Sequence, residues 1–252
     1  MSTEPVILLT GASRGLGLAI ACHLLTHTTA NLHLISRSAI PLVSPRISVS
    51  LLDLSLDTSA PLAIATCLSV WGRLDSLILN HGLLSPVTPL SFATASAWRA
   101  AFNTNLFSHV GLLAAALPSL RAAPNGRVVL VSSGAAVTGY PAWGAYGAAK
   151  AAMNHLVLTL EAEEPRLTAI AVRPGVVDTE MQREIREVHQ AAMGAAGERF
   201  VDAHRDGKLL APEVPGAVVA RLAMGMGREL GGKFLSWNAE ELREFQDDAV
   251  AA

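Results

Sequence analysis

The sequence predicts an α/β domain built on a doubly wound parallel sheet of about seven strands, with helices on both faces. Apolar runs of strand length alternate with helix-length segments along the chain. The strand runs are almost wholly apolar instead of alternating with polar residues, which is typical of a sheet buried on both faces. The 252 residues contain no repeat, linker or low-complexity tract, so we expect one domain over residues 1–252.

Each predicted strand is a short apolar run, and the helices fill most of the chain between the runs. The strands are expected at 6–10, 32–36, 47–51, 74–80, 127–132, 168–172 and 233–236. The helices are expected at 15–27, 57–70 with Asp57 as N-cap, 98–117, 146–163, 179 to about 203, and 212–226. Segment 179–211 stands apart from this alternation, and we expect it to be an insertion that acts as a substrate lid.

Composition excludes several classes of function. Apolar residues make up 51% of the chain and charged residues 16%, which predicts a large core and some apolar surface for an oligomer to cover. The net charge is −2 without a block of like charges, so we expect no nucleic acid and no anionic membrane as partner. Cys22 and Cys67 lie in predicted helices outside any CxxC pattern. They are expected to be buried or half-buried free thiols instead of disulfide or metal ligands, and no metal site is predicted.

Targeting and membrane segments are not expected either. The first five residues are polar and lead straight into a strand, without the basic and apolar regions of a signal peptide. Two long uncharged stretches, 100–120 and 128–149, are interrupted by polar residues, glycine and proline, so neither resembles a membrane span. We therefore expect a cytoplasmic protein.

The turn after the first strand is rich in glycine. Residues 10–17 read Thr-Gly-Ala-Ser-Arg-Gly-Leu-Gly and join the first strand to the first helix. Glycines there let the backbone approach a pyrophosphate, which then faces the free N–H groups of the helix. The context predicts a Rossmann-type dinucleotide site, and a purely structural turn is the alternative. The expected contacts are Gly11, Ser13, Arg14, Gly15, Leu16 and Gly17.

The end of the second strand indicates which dinucleotide binds. An NAD site usually places an acidic residue there, but this chain has Arg37 between Ser36 and Ser38. Arg37 and Arg14 suit a 2′-phosphate better than a ribose diol. The sequence therefore favours NADP(H) over NAD as cofactor, the alternative being two solvated arginines.

Tyr146 and Lys150 are four residues apart in a predicted helix, which places them on one face. A cation near a phenol favours the phenolate, so we expect Lys150 to lower the pKa of Tyr146. A phenol with a pKa near working pH is a useful general acid and base. An isolated pair of this kind is weak evidence for catalysis, because tyrosine and lysine are common on helix surfaces.

Together these motifs resemble the short-chain dehydrogenase/reductase family. Its cofactor turn has the form TGxxxGxG seen at 10–17, and its catalytic serine precedes the tyrosine by the spacing that Ser133 has from Tyr146. Asn105 matches the family's helix asparagine, which holds a water in a proton relay. The resemblance implies that Ser133, Tyr146, Lys150 and Asn105 are catalytic, and that Tyr146 and Lys150 also bind the cofactor.

Further cofactor contacts are implied by the same resemblance. Asp53, followed by Leu54, is implied to accept a hydrogen bond from the adenine amino group, with an Asx turn or a helix cap as the alternative. Asn80 and Gly82 match the family's Asn-Ala-Gly, whereas His81 departs from it and is given no role. The remaining implied contacts are Pro174 and Gly175, which border the nicotinamide, Val177, and Thr179, which contacts the cofactor at its carboxamide or phosphate end.

The expected substrate pocket is apolar. It is expected to be lined by Ser85, Ala135, Tyr140, Trp143, Val177 and Met181. Ordinary core or lid packing is the alternative for the aromatic residues and Met181. Stretches 132–135, 145–155, 163–165 and 174–182 resemble the branch of carbonyl reductases that includes benzil reductase and, more distantly, sepiapterin reductase. That resemblance implies a ketone or a vicinal dicarbonyl, such as an α-diketone, as the small-molecule substrate.

The expected function is therefore NADPH-dependent reduction of such a carbonyl by hydride transfer, with Tyr146 as general acid. The alternatives are an NADP-dependent secondary alcohol dehydrogenase that works oxidatively, and a non-catalytic NADP-binding sensor or scaffold. Helices 98–117 and 146–163 are apolar nearly all round, so each has a face left over after covering the sheet. Because the family forms helix-paired dimers, we expect a homodimer or a homotetramer.

Overall fold

The computed structural model describes residues 3–246 and contains one sheet of seven parallel strands. The order in the sheet is β3-β2-β1-β4-β5-β6-β7, with every neighbouring pair parallel. The predicted fold class is confirmed. The strands are β1 Val6–Thr10, β2 Asn31–Ser36, β3 Ile47–Leu51, β4 Ser76–Leu79, β5 Gly126–Val131, β6 Leu167–Arg173 and β7 Phe234–Ser236.

Helices connect the strands and cover both faces of the sheet. Short 3₁₀ turns lie at Leu90–Phe92, Gly134–Ala136, Arg228–Leu230 and Glu240–Phe245. Five-residue π-helical turns lie at Asn103–Phe107 and Ile185–His189. The α-helices are α1 Gly15–His27, α2 Ser59–Trp71, α3 Ala95–Phe102, α4 Ser108–Ala122, α5 Gly144–Glu163, α6 Glu180–Glu184, α7 Gln190–Met193, α8 Ala195–Arg205 and α9 Glu213–Gly225.

The sheet separates two apolar cores. Ile7 and Leu9 of β1 point into the core shared with α1 and α9, whereas Val6 and Leu8 point into the core shared with α2, α4 and α5. Successive side chains of a strand face opposite sides, so a strand buried on both sides must be apolar throughout. All five residues of β1 are buried, which explains why the strand runs in the sequence lack polar alternation.

The carboxyl ends of the strands form an open edge. Strand β1 pairs with β2 on one side and β4 on the other, because the chain runs outward from β1 to β3 and then crosses back to start the other half of the sheet at β4. A crevice forms where the strand order reverses in this way, and ligands of open α/β sheets bind there. The fold thus places the ends of β1, β4, β5 and β6 around one cleft.

The predicted N-cap of the second helix is wrong. Helix α2 begins at Ser59, and the residue before it, Thr58, is already helical and makes no side-chain cap. The chain at 53–59 instead forms a turn around the carbonyl oxygen of Asp53. This oxygen accepts from the Leu56 N–H at 3.3 Å and from the Ser59 hydroxyl at 2.6 Å. Asp57 therefore lies in a turn and not at the start of the helix.

The helix predicted at 98–117 is longer than expected and contains an irregularity. Segment Ala95–Ala122 is continuous, but the π-helical turn divides it into α3 and α4. By length and composition alone this segment could cross a membrane. In the structure, α4 packs on α2, and α3 packs on α5, as part of one layer over the sheet.

Two further expectations are corrected. The segment predicted as one helix over 179–203 is broken, because Gly194 adopts φ of +57° between α7 and α8. Cys67 is buried as expected, but Cys22 is exposed, since it lies on the face of α1 that points away from the sheet. Both cysteines are free thiols in the structure.

Candidate active site

The glycine turn between β1 and α1 is closed by backbone contacts that a side chain would block. A Cβ atom on Gly17 would lie 2.0 Å from the carbonyl oxygen of Gly11, so only glycine fits. Gly11 and Gly15 adopt φ of +70° and +53°, a region that glycine enters without strain. The Asn80 amide donates to the carbonyl oxygens of Thr10 and Gly11 at 3.0 and 3.2 Å, which fixes the turn to the end of β4.

This turn has the properties of an anion site. Arg14 is the N-cap of α1, but its side chain makes no capping hydrogen bond, and the first turn of the helix carries no acidic residue. The first N–H groups of a helix need partners and attract negative charge. A cradle that excludes any Cβ, next to an uncapped helix start, fits the pyrophosphate of a dinucleotide.

A cleft of about 490 Å³ extends from this turn along the carboxyl ends of the strands. Every residue expected to contact the cofactor lines it. They are Gly11, Ser13, Arg14, Gly15, Leu16, Gly17, Arg37, Asp53, Leu54, Asn80, Gly82, Tyr146, Lys150, Pro174, Gly175, Val177 and Thr179. Thr179 closes the far side of the glycine turn, since a Cβ on Gly15 would lie 3.1 Å from its methyl group.

Asp53 forms one of the alternatives considered for it, an Asx turn, and also lines the cleft. Its Oδ1 atom accepts from the backbone N–H and the hydroxyl of Ser55, at 2.9 and 2.8 Å, so Asp53 forms an Asx turn. These hydrogen bonds lower the pKa of the carboxyl group and keep it ionised. The side chain nevertheless lines the cleft, and the positive charge of nearby Arg37 also lowers the pKa of Asp53. An adenine contact is therefore compatible with the turn.

Ser133 and Tyr146 meet at the middle of the cleft. Ser133 is the second residue after β5 and caps the start of a 3₁₀ turn, where its hydroxyl accepts from the Ala135 N–H at 3.2 Å. Tyr146 lies in the first turn of α5, with its hydroxyl hydrogen-bonded to the Ser133 side chain. Burial raises the pKa of the phenol, and the bond to Ser133 opposes that effect. The phenol is thus protonated at neutral pH.

Lys150 lies one turn further along α5 and is almost fully buried. Its ammonium group donates to the carbonyl oxygen of Val131 at 2.7 Å and lies 5.8 Å from the centre of the Tyr146 ring. Burial lowers the pKa of Lys150 to about 8. The expected lowering of the Tyr146 pKa by this lysine is not found. Burial is the largest influence on the pKa of the phenol, and the Lys150 ammonium group donates to a carbonyl oxygen instead of to the hydroxyl.

Asn105 lies behind the cleft and does not line it. The residue occupies the π-helical turn, where its amide makes two hydrogen bonds with the backbone of Leu83, accepting from the N–H at 2.8 Å and donating to the carbonyl at 2.9 Å. A Cβ on Gly82 would lie 3.0 Å from the Asn105 oxygen and 3.7 Å from the Lys150 nitrogen. Asn105 therefore holds the chain after β4 close against Lys150.

A pair of histidines under the cleft was not assigned a role from the sequence. His81 bonds through its two ring nitrogens to the hydroxyls of Thr10 and Ser108, both at 2.8 Å. The His109 ring packs on it at 4.1 Å and donates through Nδ1 to the carbonyl oxygen of Asn105 at 2.9 Å. Burial lowers the pKa of His81 to about 3 and that of His109 well below its usual range. The pair is therefore neutral and braces the floor of the cleft.

The substrate end of the cleft is an apolar cluster closed by the segment after β6. Tyr140 lies 4.9 Å and Phe200 5.5 Å from Trp143, measured between ring centres, and the Trp143 N–H donates to the sulfur of Met193 at 3.2 Å. Of the residues expected here, Ala135, Tyr140, Trp143, Val177 and Met181 line the cleft.

Ser85 is a correction to that expectation. It is exposed outside the cleft, with its hydroxyl 3.4 Å from a carboxylate oxygen of Glu184, and Leu84 is the buried residue that lines the cleft instead. Phe200 was missed. The two buried residues of α8, Gly197 and Phe200, are three residues apart and so lie on one face of the helix. This helical periodicity is the sequence signal that could have identified Phe200 as buried.

The fold and this cleft define the class of protein. Residues 5–190 match the family model described as short chain dehydrogenase, and the chain belongs to the short-chain dehydrogenase/reductase family. It is similar to an oxidoreductase of Schizosaccharomyces pombe, with 39% identity over 94% of this chain and 98% of that protein.

Two relatives from Saccharomyces cerevisiae are also similar over nearly their whole length. A benzil reductase ((S)-benzoin forming) is 36% identical, over 96% of this chain and 98% of that protein. A crystal structure of a short-chain dehydrogenase/reductase is 35% identical and superimposes with a TM-score of 0.93, covering 97% of this chain and all of the other. The chain is thus of the benzil reductase type within its family.

Proposed function

We propose that this protein is an NADPH-dependent carbonyl reductase that converts a ketone or a vicinal dicarbonyl, such as an α-diketone, into the hydroxy compound. The observation that carries the proposal is the meeting of Ser133, Tyr146 and Lys150 in the cleft that the glycine turn opens. Similarity to a benzil reductase supports a dicarbonyl as substrate. The apolar, aromatic lining supports an uncharged substrate.

The cleft has groups suited to each part of the cofactor. The glycine turn and the start of α1 would hold the pyrophosphate, Asp53 the adenine, and Pro174, Gly175, Val177 and Thr179 the nicotinamide end. Arg14 and Arg37 line the cleft where the adenosine ribose would lie, which supports NADP(H) over NAD. When bound, the nicotinamide supplies hydride to the carbonyl carbon.

The chain's own residues supply the proton. Tyr146 donates its phenolic proton to the carbonyl oxygen of the substrate, and the Ser133 hydroxyl donates a hydrogen bond to the same oxygen. Lys150, held by the carbonyl of Val131, orients the cofactor's ribose and returns a proton towards Tyr146. Asn105 is the residue that we expect to hold the water from which this proton comes.

The protonation state of the phenol supports the reductive direction. Because burial raises the pKa of Tyr146, the protonated acid is the stable form at neutral pH, and an acid is what reduction requires. The alternative, oxidation of a secondary alcohol, uses the same residues with Tyr146 as base. A non-catalytic sensor has no need of Ser133, Tyr146 and Lys150 together, and this chain has all three.

The surroundings of the site complete the proposal. We assign 179–211 as a lid, since α6, the π-helical turn after it and α8 bring Met181, Ile185 and Phe200 over the substrate end. A homodimer or homotetramer and a cytoplasmic location are proposed as well. For the location, the support is a related yeast structure, 36% identical, which is described as that of a cytoplasmic protein.

Replacing Tyr146 with phenylalanine tests the proposal. The variant keeps the ring but has no proton to donate, so kcat for an α-diketone should fall by at least about 100-fold. Affinity for NADPH, measured by fluorescence titration, should change by less than about twofold, since most cofactor contacts remain. Tyr140→Phe is the matched control at the chain's other tyrosine and should lose far less activity. A Tyr146→Phe enzyme within tenfold of the normal kcat would contradict the assignment.

A further inference from the structure

Ser132 is a buried serine of the cleft lining that the proposed mechanism does not use. Its backbone N–H donates to the carbonyl oxygen of Val172 at 2.8 Å, which fixes the residue to β6. Its hydroxyl donates to Oδ1 of Asn154 in α5 at 2.6 Å. One hydrogen bond between two neutral side chains thus joins the chain segment that carries Ser133 to the helix that carries Tyr146.

Asn154 continues a row of polar side chains along α5. Tyr146, Lys150 and Asn154 follow one another at intervals of four residues, and residues four apart lie on one face of a helix. Each of the three is hydrogen-bonded to a different residue at the end of β5 or just after it. These three partners are consecutive in the chain: Val131, Ser132 and Ser133. Three hydrogen bonds therefore set the position of α5 along the end of β5.

The three hydrogen bonds differ in what the proposed reaction does to them. Tyr146 and Ser133 each have one hydroxyl proton, and both donate it to the substrate's oxygen, so the bond between them is given up when the substrate binds. Lys150 donates to a main-chain carbonyl, but it also passes a proton towards Tyr146. The bond between Ser132 and Asn154 contains no group that takes part in the proton transfer. It is therefore the one of the three that the reaction leaves in place.

We infer that the hydrogen bond from Ser132 makes Asn154 a positioning residue for the proposed reaction. This bond keeps the phenol of Tyr146 in place relative to Ser133 while their direct bond is exchanged for bonds to the substrate. The inference rests on the proposed function and extends it to a residue outside the cleft lining. A displacement of about 1 Å at the reacting groups can cost about 100-fold in rate, so loss of this bond should lower kcat. Substrate and cofactor affinity should change little, because their own contacts remain.

The test measures reduction of benzil by NADPH in variants of the two bonded residues. Asn154→Leu keeps the approximate size of the side chain without an acceptor, whereas Asn154→Asp keeps an oxygen that can accept from Ser132. Ser132→Ala removes the donor. These variants and the double variant Ser132→Ala/Asn154→Leu are compared in kcat, KM and NADPH affinity, well below their melting midpoints. Asn125→Leu, the same change at an exposed position outside the cleft lining, is the control.

The value of kcat should fall about tenfold in Asn154→Leu and in Ser132→Ala, while KM and the NADPH dissociation constant stay within about twofold. Asn154→Asp should restore kcat to within about threefold of the wild type, and Asn125→Leu should leave it as it is. The double variant should be no slower than the slower single variant, because both changes remove the same bond. A role in stability alone would lower the melting midpoints of these variants and leave kcat unchanged.

Several results would overturn the inference. The first is a kcat for Asn154→Leu within about twofold of the wild type. The second is an Asn154→Asp enzyme as slow as Asn154→Leu, since the acceptor is then not what matters. The third is a double variant in which the two losses multiply, since the two residues then act independently. If Asn154→Leu does not fold, Ser132→Ala and Asn154→Asp are judged by the same limits.

Failure of the inference is distinct from failure of the proposed function. A wild type that reduces neither ketone nor dicarbonyl overturns the proposed function, and the inference falls with it. An active wild type whose kcat is matched by Asn154→Leu and Ser132→Ala overturns the inference alone.

Discussion

Arg37 follows the end of β2, and its charge bears on the choice between the two nicotinamide dinucleotides. The side chain lines the cleft and the chain has no acidic residue at this point. Arg37→Asp replaces a group that suits a 2′-phosphate with one that repels it and accepts from a ribose diol. KM for NADPH should rise at least about tenfold and KM for NADH should fall, as measured by steady-state kinetics with both cofactors.

The control for this charge reversal is Arg99→Asp, an exposed arginine of α3 that does not line the cleft. It changes the net charge equally and should leave the ratio of the two KM values as it is. If Arg37→Asp keeps the wild-type preference, Arg37 has no part in choosing the cofactor.

Single residues also show where reasoning from the sequence stops. The residues expected around the cofactor could be predicted from the sequence because of their types. Glycine and proline indicate particular backbone conformations, and arginine indicates a positive charge. His81 and His109 could not be paired, because their contact depends on how α4 lies against the end of β4. Gln182 gave no signal, since a buried side-chain oxygen without a hydrogen-bond partner among residues 3–246 is recognised only when its surroundings are known.

At the scale of elements, the β1–α1 turn is the most constrained part of the site. In Gly17→Ala the new methyl group would lie 2.0 Å from the carbonyl oxygen of Gly11, and that backbone cannot move without opening the turn. NADPH affinity should fall at least about tenfold. The free energy of unfolding should fall by roughly 1–3 kcal/mol, as for other overpacked sites. Fluorescence titration and chemical denaturation measure the two effects.

Gly225→Ala makes the same chemical change at the last residue of α9, where a Cβ meets no atom within 4 Å. It should leave cofactor affinity as in the wild type. Gly17→Ala with wild-type affinity would show that the turn is more adaptable than its contacts indicate.

The elements themselves were predicted well where the pattern was local. Strand positions followed from apolar runs, and α1, α5 and α9 from helical periodicity with clear ends. The errors fall where tertiary contacts override the local pattern. Hydrogen bonds to the Asp53 carbonyl shift the start of α2 past Asp57, and a left-handed glycine divides the lid helix. Both depend on backbone geometry that the residue types alone do not determine.

At the scale of the whole molecule, the helical layer that contains α4 and α5 exposes apolar side chains on its outer side. Phe107 beside α4 is 53% exposed, Val110 42%, and Leu158 of α5 53%. Such residues on adjacent helices favour self-association. Light scattering at micromolar concentration should give at least about twice the chain mass of 26.4 kDa.

Leu158→Arg should weaken this association, because it places a charge in the apolar surface. Val43→Arg, at a fully exposed position in the loop after β2, is the matched control and should not. A wild type of chain mass at micromolar concentration would contradict the expected oligomer.

The π-helical turn at Asn103–Phe107 gives its helix one residue more than a regular turn would hold. Each residue advances a helix by about 100°, so a deletion within α4 itself would rotate one part of the helix relative to the other. A deletion inside the π-helical turn would instead close it to a regular turn and keep His109 and Leu112 facing inward. What such a deletion would change is the local position of Asn105, whose amide holds the backbone of Leu83.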